Sequence, residues 1–249
     1  MILPESLTLS ERIPSSLPMV FVPGLLCDAS IWNAVAQTFS GRHATSIADL
    51  TQDDSITAMA ERLLKDAPPS FILIGLSMGG YVAQEVMAMA PERVAALILL
   101  DTSASPDDPA RLQERSIALQ SLDIGQFRGV TSTMMPRLID RTHLHGPISK
   151  AVQDMALRVG SETFLRQQKA IMARRDFRPV LSTITQPALV AVGDCDALTP
   201  PEKAIEIFRL LQKPSFYLFH QCGHLPPIEQ PSRTARVIQA WINAVTVDG

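Results

Sequence analysis

A serine, two aspartates and a histidine in three separate turns are the residues of this 249-residue chain whose types and spacing could do chemistry. Ser77 stands in Phe71-Ile72-Leu73-Ile74-Gly75-Leu76-Ser77-Met78-Gly79-Gly80, an apolar strand pattern that turns at Gly-x-Ser-x-Gly straight into a helix-compatible segment. Such a corner holds the serine in strained backbone geometry with its hydroxyl raised above a sheet edge. A side chain at Gly75 or Gly79 would collide with the neighbouring strand or helix, because the turn leaves no room for a Cβ. The helix N-terminus behind Ser77 offers unpaired N–H groups and a partial positive charge, both suited to an oxyanion. Chance alone yields this three-residue pattern in roughly one chain of this size in ten, so its placement and its partners carry the weight. A serine hydroxyl is a poor nucleophile at neutral pH and requires a base and an orienting acid.

Both follow downstream. In Val190-Ala191-Val192-Gly193-Asp194-Cys195-Asp196-Ala197-Leu198-Thr199-Pro200-Pro201 an apolar strand runs into a turn with two carboxylates, then a Pro-Pro that opens a helix. In His220-Gln221-Cys222-Gly223-His224-Leu225-Pro226-Pro227-Ile228-Glu229 a strand releases into a glycine-containing loop that bears His224 before the last helix. All three sites follow strands at their C-terminal ends, where open α/β sheets place ligands. Asp194 competes for the acid role if the turn is displaced, and Asp101 competes because it ends another strand. His220, inside a strand pattern, reads as structural, and His43 has no evident chemistry. His143 and His145 are separated by one residue but lack clustered metal partners. Glu229 reads as a brace for the loop after His224. Neither a phosphate-cradling glycine pattern nor a cysteine–histidine metal set is present in the sequence, so no cofactor and no metal is expected.

Taken with Val20-Phe21-Val22-Pro23-Gly24, these segments resemble the α/β-hydrolase superfamily over almost the whole chain, mainly excepting the middle third. Gly75-Leu76-Ser77-Met78-Gly79-Gly80 and Leu100-Asp101-Thr102-Ser103-Ala104 are similar to small bacterial carboxylesterases and 3-oxoadipate enol-lactonase-like hydrolases. The resemblance implies a serine nucleophile at Ser77, with Asp196 as acid through Gly-x-x-Asp-x-x-Thr-Pro. It places the base at His224 through Gly-His-x-x-x-x-Glu-x-Pro. Many members carry His-Gly where this chain has Pro23-Gly24; the donor there is a backbone amide, so Leu25 N–H can pair with Met78 N–H as the oxyanion hole. The implied activity is hydrolysis of a small-molecule carboxylic ester or lactone through an acyl-enzyme. The alternative is another chemistry of the same scaffold, namely a carbon–carbon hydrolase, lyase, perhydrolase or cofactor-free oxygenase, or a slow-turnover ligand receptor.

The elements that must position these residues alternate along the chain. Strand patterns cover residues 17–22, 43–49, 70–76, 94–101, 188–193 and 215–220, with helical patterns at about 29–39, 55–65, 78–90, 201–211 and 232–245. Strands alternating with helices of 10–15 residues predict an α/β fold with a mostly parallel, doubly wound sheet. The strands are continuously apolar, as helices on both faces require. Residues 7–9 are expected as a short antiparallel edge strand. Between 101 and 187 the alternation stops, and four helical patterns follow at about 108–120, 124–136, 147–159 and 161–174. The resemblance identifies such an insertion, after the sixth strand, as a helical cap. The expected division is therefore core at 1–104, cap at 105–184 and core at 185–249. Met134, Met135, Leu138, Met155, Leu157, Phe164 and Ile171 are candidate pocket lining.

Composition bounds the partners. The chain is 46% hydrophobic and 19% charged with net charge −3, which describes one ordinary catalytic domain without bias towards nucleic acid. No signal peptide is expected and no apolar run could span a bilayer, so a cytoplasmic protein acting on a small molecule, away from membranes, is the expectation. Residues 141–180 hold eight basic and three acidic residues, an excess of five positive charges, against eight negative elsewhere. That excess reads first as a solvated helix face, with attraction of an anionic substrate as the alternative. Three cysteines cannot all pair; Cys27, Cys195 and Cys222 are expected near the pocket mouth or as small apolar filler.

Overall fold

A computed structural model describes residues 13, 14, 16–123 and 127–247. Its strands are β1 (Ile13–Pro14), β2 (Met19–Val22), β3 (Thr45–Ile47), β4 (Phe71–Leu76), β5 (Val94–Leu100), β6 (Ala188–Gly193), β7 (Pro214–Phe219) and β8 (Thr246–Val247). Six of them form one sheet in the order β3-β2-β4-β5-β6-β7, with every neighbouring pair parallel. The remaining two, β1 and β8, pair with each other in a small parallel ribbon. The edge strand expected at residues 7–9 lies outside the described residues.

Among the described residues, ten α-helices surround the sheet: α1 (Asn33–Phe39), α2 (Ile56–Asp66), α3 (Met78–Met89), α4 (Pro109–Asp123), α5 (Met135–Leu138), α6 (Pro147–Met172), α7 (Arg178–Leu181), α8 (Pro201–Leu210), α9 (Pro226–Glu229) and α10 (Pro231–Val245). Successive strand residues face opposite sides, so each continuously apolar strand feeds two cores. Ile72 and Ile74 of β4 point into one core with Phe39 of α1 and Trp241 of α10. Phe71 and Leu73 point into the other with Met59 of α2, Val86 of α3 and Ile207 of α8. Burial on both faces is what makes an all-parallel sheet stable. Among the described residues, no helix is long and apolar enough to cross a membrane.

The helical insertion follows β5, the strand that the resemblance counts as its sixth, and returns to the sheet at β6. Its two final helical patterns merge into α6, which kinks at Gly160 (φ 82°) where the sequence divides them. Of the helix expected over 124–136, residues 124–126 lie outside the described residues, and the rest is corrected. Residues 127–134 run as turns, and only α5 is helical beyond them. Gly129 at φ 60° interrupts any helix there, and the apolar residues that imitate helical spacing serve the loop instead. Phe127, for one, stacks on Phe164 with ring centroids 5.7 Å apart.

Candidate active site

Ser77 is the residue between β4 and α3, with φ 55° and ψ −116°, a strained conformation for a side-chain-bearing residue. The surroundings hold it there. Its N–H donates to Leu100 O at 3.0 Å, and Thr102 Oγ1 donates to its carbonyl at 2.8 Å. A Cβ at Gly75 would approach Gly79 O to 2.5 Å, and one at Gly79 would overlap the carbonyl oxygens of Val22 and Pro23. Both obstacles are backbone, so glycine is required for the helix to start this close to β2.

His224 reaches Ser77 from the loop after β7. Its Nδ1–H donates to Asp196 Oδ2 at 2.7 Å, leaving Nε2 to accept from Ser77 Oγ–H at 2.8 Å. Asp196 and His224 are both buried. The Asp196 carboxylate also accepts from Leu198 N–H at 2.8 Å, Thr199 N–H at 3.0 Å and Thr199 Oγ1–H at 2.7 Å. Burial opposes its ionisation, but the charge and hydrogen bond of His224 and the Thr199 donors outweigh that and bring the carboxyl down to about 2. It is thus an acceptor-only anion that fixes the imidazole tautomer. A hydroxyl bonded to an imidazole that is itself bonded to a buried carboxylate can lose its proton without a free base in solution.

The two turns carrying Asp196 and His224 are tied together. Cys195 N–H donates to Cys222 O at 2.9 Å and Asp194 N–H to Phe219 O at 2.9 Å. Gly193 permits the approach, because a Cβ there would overlap Cys222 O and Gly223 O. The histidine loop is also held from the insertion, where His224 N–H donates to Leu138 O at 2.9 Å. Glu229 braces the same loop on both sides of His224. Its Oε2 accepts from Gly223 N–H at 3.1 Å and from Asp140 N–H at 2.7 Å, and its Oε1 accepts from Leu225 N–H at 3.1 Å.

Neither competing aspartate bonds to His224. Asp194 accepts from Cys222 N–H at 3.3 Å and from His220 Nδ1–H at 3.2 Å, at the outer side of the loops. Asp101 is fully buried at the end of β5 with φ 45°. Its Oδ1 accepts from Gly193 N–H at 2.9 Å, while its Oδ2 has no hydrogen-bond partner among the described residues. Burial, then the neighbouring charge of Asp196, push its carboxyl well above the ordinary range. Atoms of Asp101, Asp196 and His224 lie within 4.8 Å of one another. Asp196 and His224 spend theirs on each other.

The loop after β2 meets Ser77 from the opposite side. A Cβ at Gly24 would be 3.3 Å from Ser77 Cβ, so the loop that continues into Leu25 closes against the serine. That amide makes no backbone hydrogen bond among the described residues, and Met78 opens α3, so its N–H has no intrahelical acceptor. Gln167 of α6 fixes the loop: its Oε1 accepts from Leu26 N–H at 3.0 Å and its Nε2 donates to Leu50 O at 3.1 Å. Leu26 has φ 59°, another strained backbone held by a side chain from the insertion.

Above Ser77 opens a cavity of about 460 Å³ whose wall includes Met134, Leu138, Phe164, Met155 and Ile171. Met135 does not line it, being buried in the core, and Leu157 is exposed. Sequence reasoning missed Tyr81, Ile117, Val130, Val152 and Gln168, which line the cavity as well, together with the charged wall considered below. Of the cysteines, Cys27 lines the cavity. Cys195 is exposed and Cys222 is buried under the loop. Burial pushes the Cys27 thiol up to about 12, so it is a packing group at neutral pH.

These features define a serine–histidine–aspartate site at the carboxyl end of a parallel sheet. A family model for the alpha/beta hydrolase family matches residues 19–237, and the chain belongs to that family. The chain is 25% identical over 228 residues to a pimeloyl-[acyl-carrier protein] methyl ester esterase of Klebsiella pneumoniae, covering 86% of this chain and 89% of the relative. It resembles the structure of a malate-bound thermophilic esterase from Thermogutta terrifontis with a TM-score of 0.84 and 27% identity, over 95% of this chain and 93% of that one. The enol-lactonase of Burkholderia xenovorans shares the fold, with a TM-score of 0.79 and 19% identity over 92% of each chain.

Proposed function

We propose that the protein is a serine hydrolase that cleaves a small-molecule carboxylic ester or lactone through an acyl-enzyme. The observation that carries this reading is the continuous hydrogen-bond chain from Asp196 through His224 to Ser77 Oγ. Ser77 Oγ attacks the carbonyl carbon as His224 Nε2 takes its proton, and the buried Asp196 carboxylate stabilises the imidazolium that forms. Leu25 and Met78 N–H groups receive the oxyanion, a contribution of about 2.7–4 kcal/mol per donor by analogy with measured deletions. His224 then protonates the departing alkoxide, and in the second half it activates the water that releases the acid. Residues 105–184 act as a cap, since α4, α5 and α6 contribute much of the wall of the cavity above Ser77. The named esterases among the relatives support the same reading.

A panel of short-chain p-nitrophenyl esters tests it. Burst kinetics followed by steady turnover are the expected result, with turnover abolished in Ser77→Ala while the circular dichroism spectrum is unchanged. Turnover near the wild-type rate in that variant would end the proposal.

A further inference from the structure

A second cavity, of about 230 Å³, opens beside the first; Tyr81, Arg111, Arg115, Leu198 and Thr199 line both. We infer that this smaller cavity is an anion subsite, which receives a carboxylate carried by the substrate while the larger cavity holds the apolar chain and the scissile ester. Building on the esterase reading, this inference narrows the substrate class to half-esters or lactones that bear a free carboxylate.

Charge makes the argument. Four cations line the smaller cavity (Arg111, Arg115, Arg174, Lys203) against two carboxylates, Asp107 and Asp108; Arg111 has its own partner in Glu114 at 3.1 Å, which leaves Arg115, Arg174 and Lys203 to carry the excess. One carboxylate serves two of the arginines: Asp107 Oδ2 lies 2.5 Å from Arg115 Nε, and Oδ1 lies 2.7 Å from Arg174 Nη2. Arg174 is buried with its guanidinium 4.3 Å from the centre of the Tyr81 ring, and its Nε has no hydrogen-bond partner among the described residues. Arg115, also buried, spends Nε on Asp107 and Nη1 on Gln168 Oε1 at 2.8 Å, with no described partner for Nη2. Lys203 Nζ donates only to Ser105 Oγ at 3.2 Å and meets no carboxylate among the described residues. A second buried guanidinium sharing a single counter-ion is costly unless an anion completes the set. The open donors in this wall, Arg115 Nη2 and the Lys203 ammonium, are of the charged kind that pairs with carboxylate oxygens.

The positive excess that the sequence places at residues 141–180 is a different one. Arg158 pairs with Asp28, Arg175 with Glu85, Arg178 with Asp176 and Lys150 with Asp154, each through an exposed or half-exposed cation. Within that stretch only Arg174 lines the smaller cavity; the other three cations come from α4 and α8.

Binding to the Ser77→Ala protein tests the subsite without turnover. Calorimetry would compare monomethyl succinate and monomethyl adipate with their dimethyl esters at low salt. At least one half-ester is expected to bind about tenfold tighter than its neutral counterpart, the scale of one charge-assisted hydrogen bond. The preference should shrink severalfold in Lys203→Gln, whose exposed position on α8 makes it safe for folding, and in Arg115→Gln. It should also weaken as salt rises. Equal affinity for charged and neutral esters, absence of half-ester binding, or a preference untouched by both substitutions would overturn the inference. Lack of ester turnover by the unmutated protein would instead count against the esterase reading, because the binding difference is read on a protein that cannot turn over.

Discussion

Replacing Glu229 with glutamine changes one atom and one charge, yet it should impair His224 through the loop that carries the imidazole. In the native chain Oε2 serves Asp140 and Gly223 N–H groups and Oε1 serves Leu225 N–H. A glutamine presents its oxygen to one side only. With oxygen at the Oε2 position, Leu225 N–H faces an NH₂ group; in the other orientation, two backbone donors lose their acceptor. Each charge-assisted bond is worth about 1.5–3 kcal/mol. Removing the charge also removes its burial penalty, which is the main reason the Glu229 carboxyl sits above its ordinary range. The net loss of stability should therefore be about 1–2 kcal/mol, a fall in Tm of roughly 3–6 °C for a chain of this size. The catalytic loss should be larger than that. Both affected amides flank His224, and a displacement of about 1 Å between reacting groups costs on the order of 10²-fold. Thermal denaturation, steady-state kinetics with p-nitrophenyl acetate and the second-order rate of fluorophosphonate labelling measure the three consequences. We expect kcat and the labelling rate to fall together by about 10–100-fold with KM nearly unchanged. Labelling and kcat within twofold of wild type would refute the reasoning even if Tm falls, since Glu229 would then hold the fold and not the imidazole.

Asp101→Asn should alter the pH dependence of stability. The folded carboxyl titrates well above its ordinary value, so between about pH 4 and that raised value the folded state binds a proton the unfolded chain does not, and stability falls as pH rises. Asparagine keeps an oxygen for Gly193 N–H and removes the titration, so the variant should gain on wild type from pH 5 to pH 8 in urea melts; parallel curves would contradict this. Asp196 has the opposite sign: its contribution is present above the ordinary value near 3.9 and is lost as pH falls towards about 2. Asp196→Asn should lower kcat by about 10⁴-fold, as loss of the tautomer-fixing acid does elsewhere, and a loss under tenfold would argue that Asp101 takes over. Gln167→Leu leaves Leu26 N–H without its acceptor and frees the loop that carries Leu25. A fall in kcat of about 10-fold or more is expected, a fraction of the cost of deleting an oxyanion donor, and an unchanged kcat would count against that loop's role.

The strands and the three turns were legible because their signals are local. Gly-x-Ser-x-Gly, Gly-x-x-Asp and Gly-His each combine a strand end with the small residue that its tight backbone needs, and the alternation of strands and helices orders them on one sheet. Gly193 illustrates the limit. The sequence marks it as a turn residue, but only the structure shows it making room for the histidine loop. Long-range partners left no such signal. Gln167 reaches Leu26 across 141 residues, and Glu229 reaches Asp140 across 89, through generic polar side chains. The stretch at 127–134 misled because apolar residues packing a loop onto α6, such as Phe127 against Phe164, imitate a helical period. Counting charge along the insertion locates no site for a related reason. Most of those cations meet carboxylates from distant segments, such as Arg158 with Asp28, whereas the cations of the smaller cavity are gathered from α4, α6 and α8.

Whether Ser77 is activated by the groups around it is tested most directly by intact-mass and peptide-mapping analysis after brief exposure to a fluorophosphonate. A single phosphonyl adduct on Ser77, formed rapidly in the native protein and slowed at least about 10³-fold in His224→Ala, is the result expected of a base-activated nucleophile. An unmodified Ser77, or labelling as fast without His224 as with it, would contradict the account.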